Sequence, residues 1–131
     1  MSSTVELKGR RFLVVEDEYI IAADLAASLE ALGAEVAGPA ASVAEALIVL
    51  ERDGEGLDGA VLDVNLGKEH VYPVADVLRG RGIPFVFTTG YDASAVPSSY
   101  VDVPRCEKPV DERRLARCLF EVTQRDKCPE A

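Results

Sequence analysis

Two short apolar runs in this chain each end in carboxylates. Phe12-Leu13-Val14-Val15 leads directly into Glu16-Asp17-Glu18, and Gly59-Ala60-Val61-Leu62 ends in Asp63. A third run, Phe85-Val86-Phe87-Thr88, is equally continuous. Unbroken apolar runs of this length suit strands buried on both faces, which belong to parallel sheets covered by helices. The stretches between the runs supply those helices. Ile21, Leu25, Leu29 and Leu32 recur at helical spacing after the first run, with Gly33 as a stop.

The alternation continues along the whole chain. Strand one is Arg11 to Val15, and its helix runs from about Glu18 to Leu32. A short strand around Glu35 to Ala37 is closed by Gly38-Pro39. Ser42-Val43-Ala44-Glu45 reads as a capping box opening a helix that reaches about Arg52, followed by an Asp53-Gly54-Glu55-Gly56 loop. Strand three, Ala60 to Leu62, leads through Asp63-Val64-Asn65-Leu66-Gly67 into a helix. That helix accepts Pro73 in its first turn and ends near Arg79-Gly80. Strand four is Phe85 to Thr88. The segment Tyr91 to Pro104 holds Pro97 and Pro104, so its helix is expected to be short or irregular. Strand five lies near Arg105 to Glu107. The last helix starts at Asp111 and buries Leu115, Cys118, Leu119 and Val122. The expected class is α/β, a doubly wound five-stranded parallel sheet.

Composition narrows the function. The 131 residues fit one domain spanning 1–131, with a core over about 10–126 and no output domain. A net charge of −9 argues against unassisted binding to nucleic acid or anionic lipid. No stretch approaches the ~20 apolar residues of a membrane span, and Met1 to Arg11 lacks a signal-peptide core, so a cytoplasmic location is expected. Cys106, Cys118 and Cys128 are odd in number without CxxC spacing, which predicts reduced thiols and not a zinc site.

The strand-end acids need a counter-charge. Two carboxylates about 4 Å apart repel by roughly 4 kcal/mol at an effective dielectric of 20, so one must protonate or a cation must bind. In the flavodoxin-like strand order 2-1-3-4-5, strands one and three are neighbours, and ligands gather outside their carboxyl ends. Glu16, Asp17 and Asp63 then face one crevice, together with Thr89 after strand four and Lys108 after strand five.

At these residues the chain closely resembles the receiver domain of two-component response regulators. The matching pieces are Phe12-Leu13-Val14-Val15-Glu16-Asp17, Val61-Leu62-Asp63-Val64-Asn65, Thr89-Gly90-Tyr91 and Lys108-Pro109, in order across nearly the whole chain. Phe87-Thr88-Thr89-Gly90-Tyr91 further resembles the Phe-Ala-Thr-Gly-Tyr motif of a subfamily consisting largely of stand-alone receivers. The resemblance implies that Asp63 accepts a phosphoryl group from a sensor histidine kinase. Magnesium is the implied cofactor, with manganese or calcium able to substitute in a crystal. Its implied ligands are Asp17, Asp63 and the Asn65 backbone carbonyl, with Glu16 acting through water. Lys108 is implied to pair with the phosphoryl oxygens, and the Thr89 hydroxyl to bond them after modification. Pro109 matches a cis peptide position that aims Lys108 inward, Gly90 opens access for the phosphodonor, and Tyr91 shades the acyl phosphate. Such a protein acts by partner binding, by relay to a histidine phosphotransfer protein, or as a phosphate sink. It catalyses only its own phosphorylation and dephosphorylation, and so is not an enzyme in the metabolic sense.

Other residues take plainer readings. Glu18 fits helix capping, His70 an exposed loop, and Arg113, Arg114, Arg117 and Arg125 a solvated helix face. The match departs at Arg105, where many receivers carry an aromatic that couples to the threonine. The rival readings are a receiver-like interaction module that does not use phosphorylation, and a magnesium-dependent hydrolase with an aspartyl nucleophile.

Overall fold

The computed structural model describes residues 7–90 and 96–127, the last four of these as backbone only. Seven strands and four α-helices are present among them: β1 (Arg11–Val15), α1 (Tyr19–Ala31), β2 (Glu35–Ala40), α2 (Val43–Asp53), β3 (Gly59–Asp63), β4 (Asn65–Leu66), β5 (Glu69–His70), α3 (Tyr72–Gly80), β6 (Phe85–Thr89), β7 (Arg105–Glu107) and α4 (Glu112–Lys127). Five of the strands form a parallel sheet in the order β2-β1-β3-β6-β7, which is the expected 2-1-3-4-5 arrangement.

Alternation of side chains along each strand divides the interior into two cores. Leu13, Val15, Leu62, Phe85 and Phe87 point to the face covered by α2 and α3, where Ala46, Leu50, Val74 and Leu78 meet them. Phe12, Val14, Val61, Val86 and Cys106 point to the opposite face, against Leu25 and Leu29 of α1 and Leu115, Leu119 and Val122 of α4. This is why β3 and β6 are buried at every position and read as continuous apolar runs. The core begins slightly before the expected boundary. Leu7 is fully buried, and its N–H donates to the Leu32 carbonyl at 3.0 Å.

Two local features differ from the sequence reading. β2 does not stop at Ala37 but continues through Gly38 and Pro39 to Ala40, with an irregularity in its pairing to β1. As an edge strand it tolerates a proline that lacks a ladder donor. Gly38 has φ +91°, and a Cβ there would sit 2.8 Å from the Ala40 nitrogen, so only glycine fits. The second difference is an antiparallel hairpin, β4 and β5, between β3 and α3. Its register depends on Gly67 in the turn (φ +71°), and His70 lies exposed on it.

The capping box forms as predicted at one end: Ser42 Oγ accepts from the Glu45 N–H at 3.1 Å. The Glu45 carboxylate, however, accepts from the Ala41 N–H, and Glu69 of the hairpin accepts from the Val43 N–H at 3.0 Å. Glu18 occupies the N-cap position of α1, but its side chain makes no capping hydrogen bond. In the region of the expected short helix, the described residues contain one 3-10 turn, Ser98–Tyr100; residues 91–95 lie outside the description, as do residues 128–131 of the expected frayed tail.

Candidate functional site

The carboxyl ends of β1 and β3 bring Glu16, Asp17 and Asp63 together, because Val15 and Leu62 are register partners at the centre of the sheet. One carboxylate oxygen from each acid lies within 4.8 Å of the others. Lys108 follows β7 and reaches back over β6 to the cluster. Its Nζ donates to Asp63 Oδ2 at 3.0 Å and lies 3.1 Å from Glu16 Oε1. The Lys108 N–H also donates to the Thr89 carbonyl at 2.8 Å, which ties the lysine's backbone to the neighbouring strand end. The Lys108–Pro109 peptide is cis, as the resemblance implies.

Burial divides the acids. Glu16 and Asp63 are almost wholly buried, whereas Asp17 is exposed. The Asp63 carboxylate accepts from the Asn65 N–H at 3.2 Å through Oδ1, leaving Oδ2 to the lysine. Glu16 accepts from the Glu18 N–H at 3.0 Å. Burial pushes the Glu16 carboxyl up to about 7, and Asp63 adds to this, while the Glu18 N–H and Lys108 oppose it. For Lys108, burial pulls the pKa down, but the hydrogen bond and charge of Asp63, with Glu16, outweigh it and raise the value. The two acids buried beside one ammonium therefore carry more negative charge than it balances, with Asp17 adding to the excess at the mouth. This oxygen-only donor set is the kind that hard divalent cations take.

Thr89 ends β6 with its Oγ1 buried and without a hydrogen-bond partner among the described residues. It lines a cavity of about 400 Å³ with Arg105, Glu107 and Arg114. Gly90 is exposed, and a Cβ there would meet nothing within 4 Å, so the space beside Thr89 is open. Tyr91 lies outside the described residues.

An aromatic cluster between α3, β6 and the segment before β7 is not evident in the sequence. Tyr72 stacks on Tyr100 at 5.2 Å and on His70 at 5.5 Å, and Phe87 meets both tyrosines edge-on. Tyr100 O–H donates to Asp76, and Arg79 lies over the Tyr100 ring while bridging to Asp102. Tyr72 and Tyr100 are separated by α3 and β6, so only the topology could have signalled their meeting.

Comparison with known proteins places this arrangement. No family model matches the chain. The solution structure of SdrG from Sphingomonas melonis Fr1 is 40% identical, with a TM-score of 0.75, over 93% of this chain and 98% of that one. The crystal structure of a response regulator receiver protein from Sinorhizobium medicae WSM419 is 25% identical with a TM-score of 0.77, over 93% and 100% of the two chains. Fold and acidic site together define a response regulator receiver domain, and the chain belongs to that family. Within it, the likeness is to SdrG and to the phyllosphere-induced regulator PhyR of Methylorubrum extorquens, which is 38% identical over 80 residues. That match takes in 60% of this chain but only 30% of PhyR.

Proposed function

We propose that this chain is a phosphoacceptor receiver that takes a phosphoryl group from a histidine kinase onto Asp63 and signals through that modification. The observation that carries this reading is the convergence of Glu16, Asp17, Asp63 and Lys108, from three strand ends, on one crevice. Magnesium would be held by Asp17, Asp63 and the Asn65 carbonyl, with Glu16 through water. When bound it supplies the positive charge that lets a carboxylate approach a phosphoryl group.

The chain's own residues do the rest. Asp63 forms the new O–P bond as the N–P bond to the donor imidazole breaks in line. Lys108, already on Asp63 Oδ2, follows the charge onto the transferred phosphoryl oxygens. The Thr89 hydroxyl, buried and without a partner among the described residues, supplies a donor at the same edge once those oxygens are present. The exposed Tyr19 and Ile20 beside Asp17 give the phosphodonor protein an apolar footing. As a receiver, the protein would work by binding a partner, by phosphorelay, or as a phosphate sink.

The test is labelling with a small-molecule phosphodonor or candidate kinase and magnesium, beside Asp63→Asn. Acid-stable, base-labile label on the wild type alone supports the proposal. No label with any donor favours an interaction module independent of phosphorylation, and continuous release of phosphate favours a hydrolase.

A further inference from the structure

The hairpin of β4 and β5 meets the acidic site on one side and α2 on the other. Its first residue, Asn65, donates its N–H to Asp63 Oδ1 at 3.2 Å. Its turn residue, Gly67, lies against Asp17, where a Cβ would sit 3.6 Å from Asp17 Oδ2. Glu69, in β5, reaches across to α2 and accepts from the Val43 N–H at 3.0 Å. Leu66 anchors the inner side of the hairpin in the core against which Val43 also packs. Glu69 is exposed and belongs neither to the acid cluster nor to the core.

The ladder of the hairpin explains why Asn65 faces the acids. Val71 N–H donates to the Val64 carbonyl at 3.1 Å, so the opposed residues Asn65 and His70 are a pair that exchanges no hydrogen bonds of its own. Both backbone groups of Asn65 therefore point away from β5, the N–H to Asp63 and the carbonyl to the same side. Where that carbonyl sits depends on where the hairpin sits. Strands of two residues each are too short to hold themselves in place.

We propose that Glu69 is a positioning residue for the cation: by clamping β5 to the first turn of α2, it presents the Asn65 carbonyl beside Asp17 and Asp63. The inference rests on the reading of that carbonyl as a magnesium ligand, and Glu69 acts through the backbone, not as a ligand itself. α2 is a firm support, because Ala46 and Leu50 fix it in the core. Its N-terminus leaves N–H groups without helical partners and carries partial positive charge, which suits a carboxylate acceptor. The hydrogen bond is charge-assisted and so stronger than a neutral one. The coupling runs both ways: a cation that fixes the hairpin also fixes Glu69 on the Val43 N–H.

The experiment measures magnesium affinity by titration calorimetry for the wild type, Glu69→Ala, Glu69→Gln, Ser42→Ala and Asp17→Asn, and follows exchange of the Val43 amide by NMR. Glu69→Ala should bind magnesium about tenfold more weakly, as is typical when the support of a metal ligand is removed. Glu69→Gln retains an oxygen acceptor without the charge and should keep most of the affinity. Ser42→Ala removes the cap from Ser42 Oγ at the same helix end and should leave the affinity unchanged. Magnesium should slow Val43 exchange in the wild type and not in Glu69→Ala. If Glu69→Ala binds as the wild type does while Asp17→Asn does not, the clamp is wrong and the acidic site stands. Equal losses in Glu69→Ala and Glu69→Gln would make the effect one of charge alone, and an equal loss in Ser42→Ala one of helix fraying; either overturns the proposal. Should Asp17→Asn bind as tightly as the wild type, the magnesium site itself is misassigned and the clamp falls with it.

Discussion

Glu16 shows how one side chain links stability to the acidic site. Its carboxyl is raised from 4.5 to about 7 because it is buried beside Asp63. The folded protein therefore binds a proton more tightly than the unfolded chain. That contribution to stability is fully present below about pH 4.5 and is lost as pH rises through 7. In metal-free protein, Glu16→Gln should flatten this slope. The variant should gain on the wild type by on the order of 2 kcal/mol between pH 5 and pH 8, read from urea midpoints; parallel curves for the two proteins would refute the assignment. Lys108 has the complementary role. Lys108→Ala leaves two buried acids without their ammonium, and it should destabilise by about 1–3 kcal/mol at pH 8, with a smaller effect at pH 5, where Glu16 is protonated. It should also slow labelling of Asp63 by at least tenfold, on the order expected for loss of a charge-stabilising contact.

At the level of elements, the described part of the segment between β6 and β7, residues 96–104, is tied to α3 by side-chain contacts. Arg79 of α3 donates to the Ser99 carbonyl and to Asp102, and Tyr100 stacks on Tyr72. Arg105 stands where many receivers place an aromatic, and it is a register partner of Phe87, the ring that Tyr72 and Tyr100 flank. Phosphorylation of Asp63 is expected to shift or order residues 91–106, and amide exchange with and without a phosphoryl mimic should differ there; identical protection would count against it. Arg79→Ala should raise exchange at Ser98–Val103 in the unmodified protein while leaving β1 and β3 protected. The hairpin of β4 and β5 is a second such element. Glu69→Ala removes a cap from α2 and should cost about 1 kcal/mol in chemical denaturation.

For the molecule as a whole, excess negative charge is both a global and a local property. The chain carries −9, and three acids sit at one end of the sheet with a single lysine between them. A divalent cation that binds only the folded state should raise Tm, by an amount equivalent to ~2.7 kcal/mol at a hundred times its Kd. Magnesium titrations followed by thermal melting should show that rise in the wild type and lose most of it in Asp17→Asn. Equal shifts in both would place the ion elsewhere. No helix among the described residues is long and apolar enough to cross a membrane.

Much of this architecture was legible in the sequence because burial on both faces leaves a direct trace. Phe12–Val15, Ala60–Leu62 and Phe85–Phe87 read as strands for that reason, and the stripes of α1 and α4 follow from the 3.6-residue period. The candidate site was legible because its acids and lysine stand at strand ends. Local sequence could not show that β2 runs on through Pro39, since an edge position is a property of the sheet. It could not show the hairpin, whose strands are two residues each, or the stacking of Tyr72 on Tyr100, which lie 28 residues apart. Sequence by itself determined which residues carry charge and which elements form. Tertiary structure decided that Glu16 rather than Asp17 is the buried acid, and that Lys108 spans Glu16 and Asp63. Burial and through-space distance set those outcomes, and neither exists until the strands are side by side.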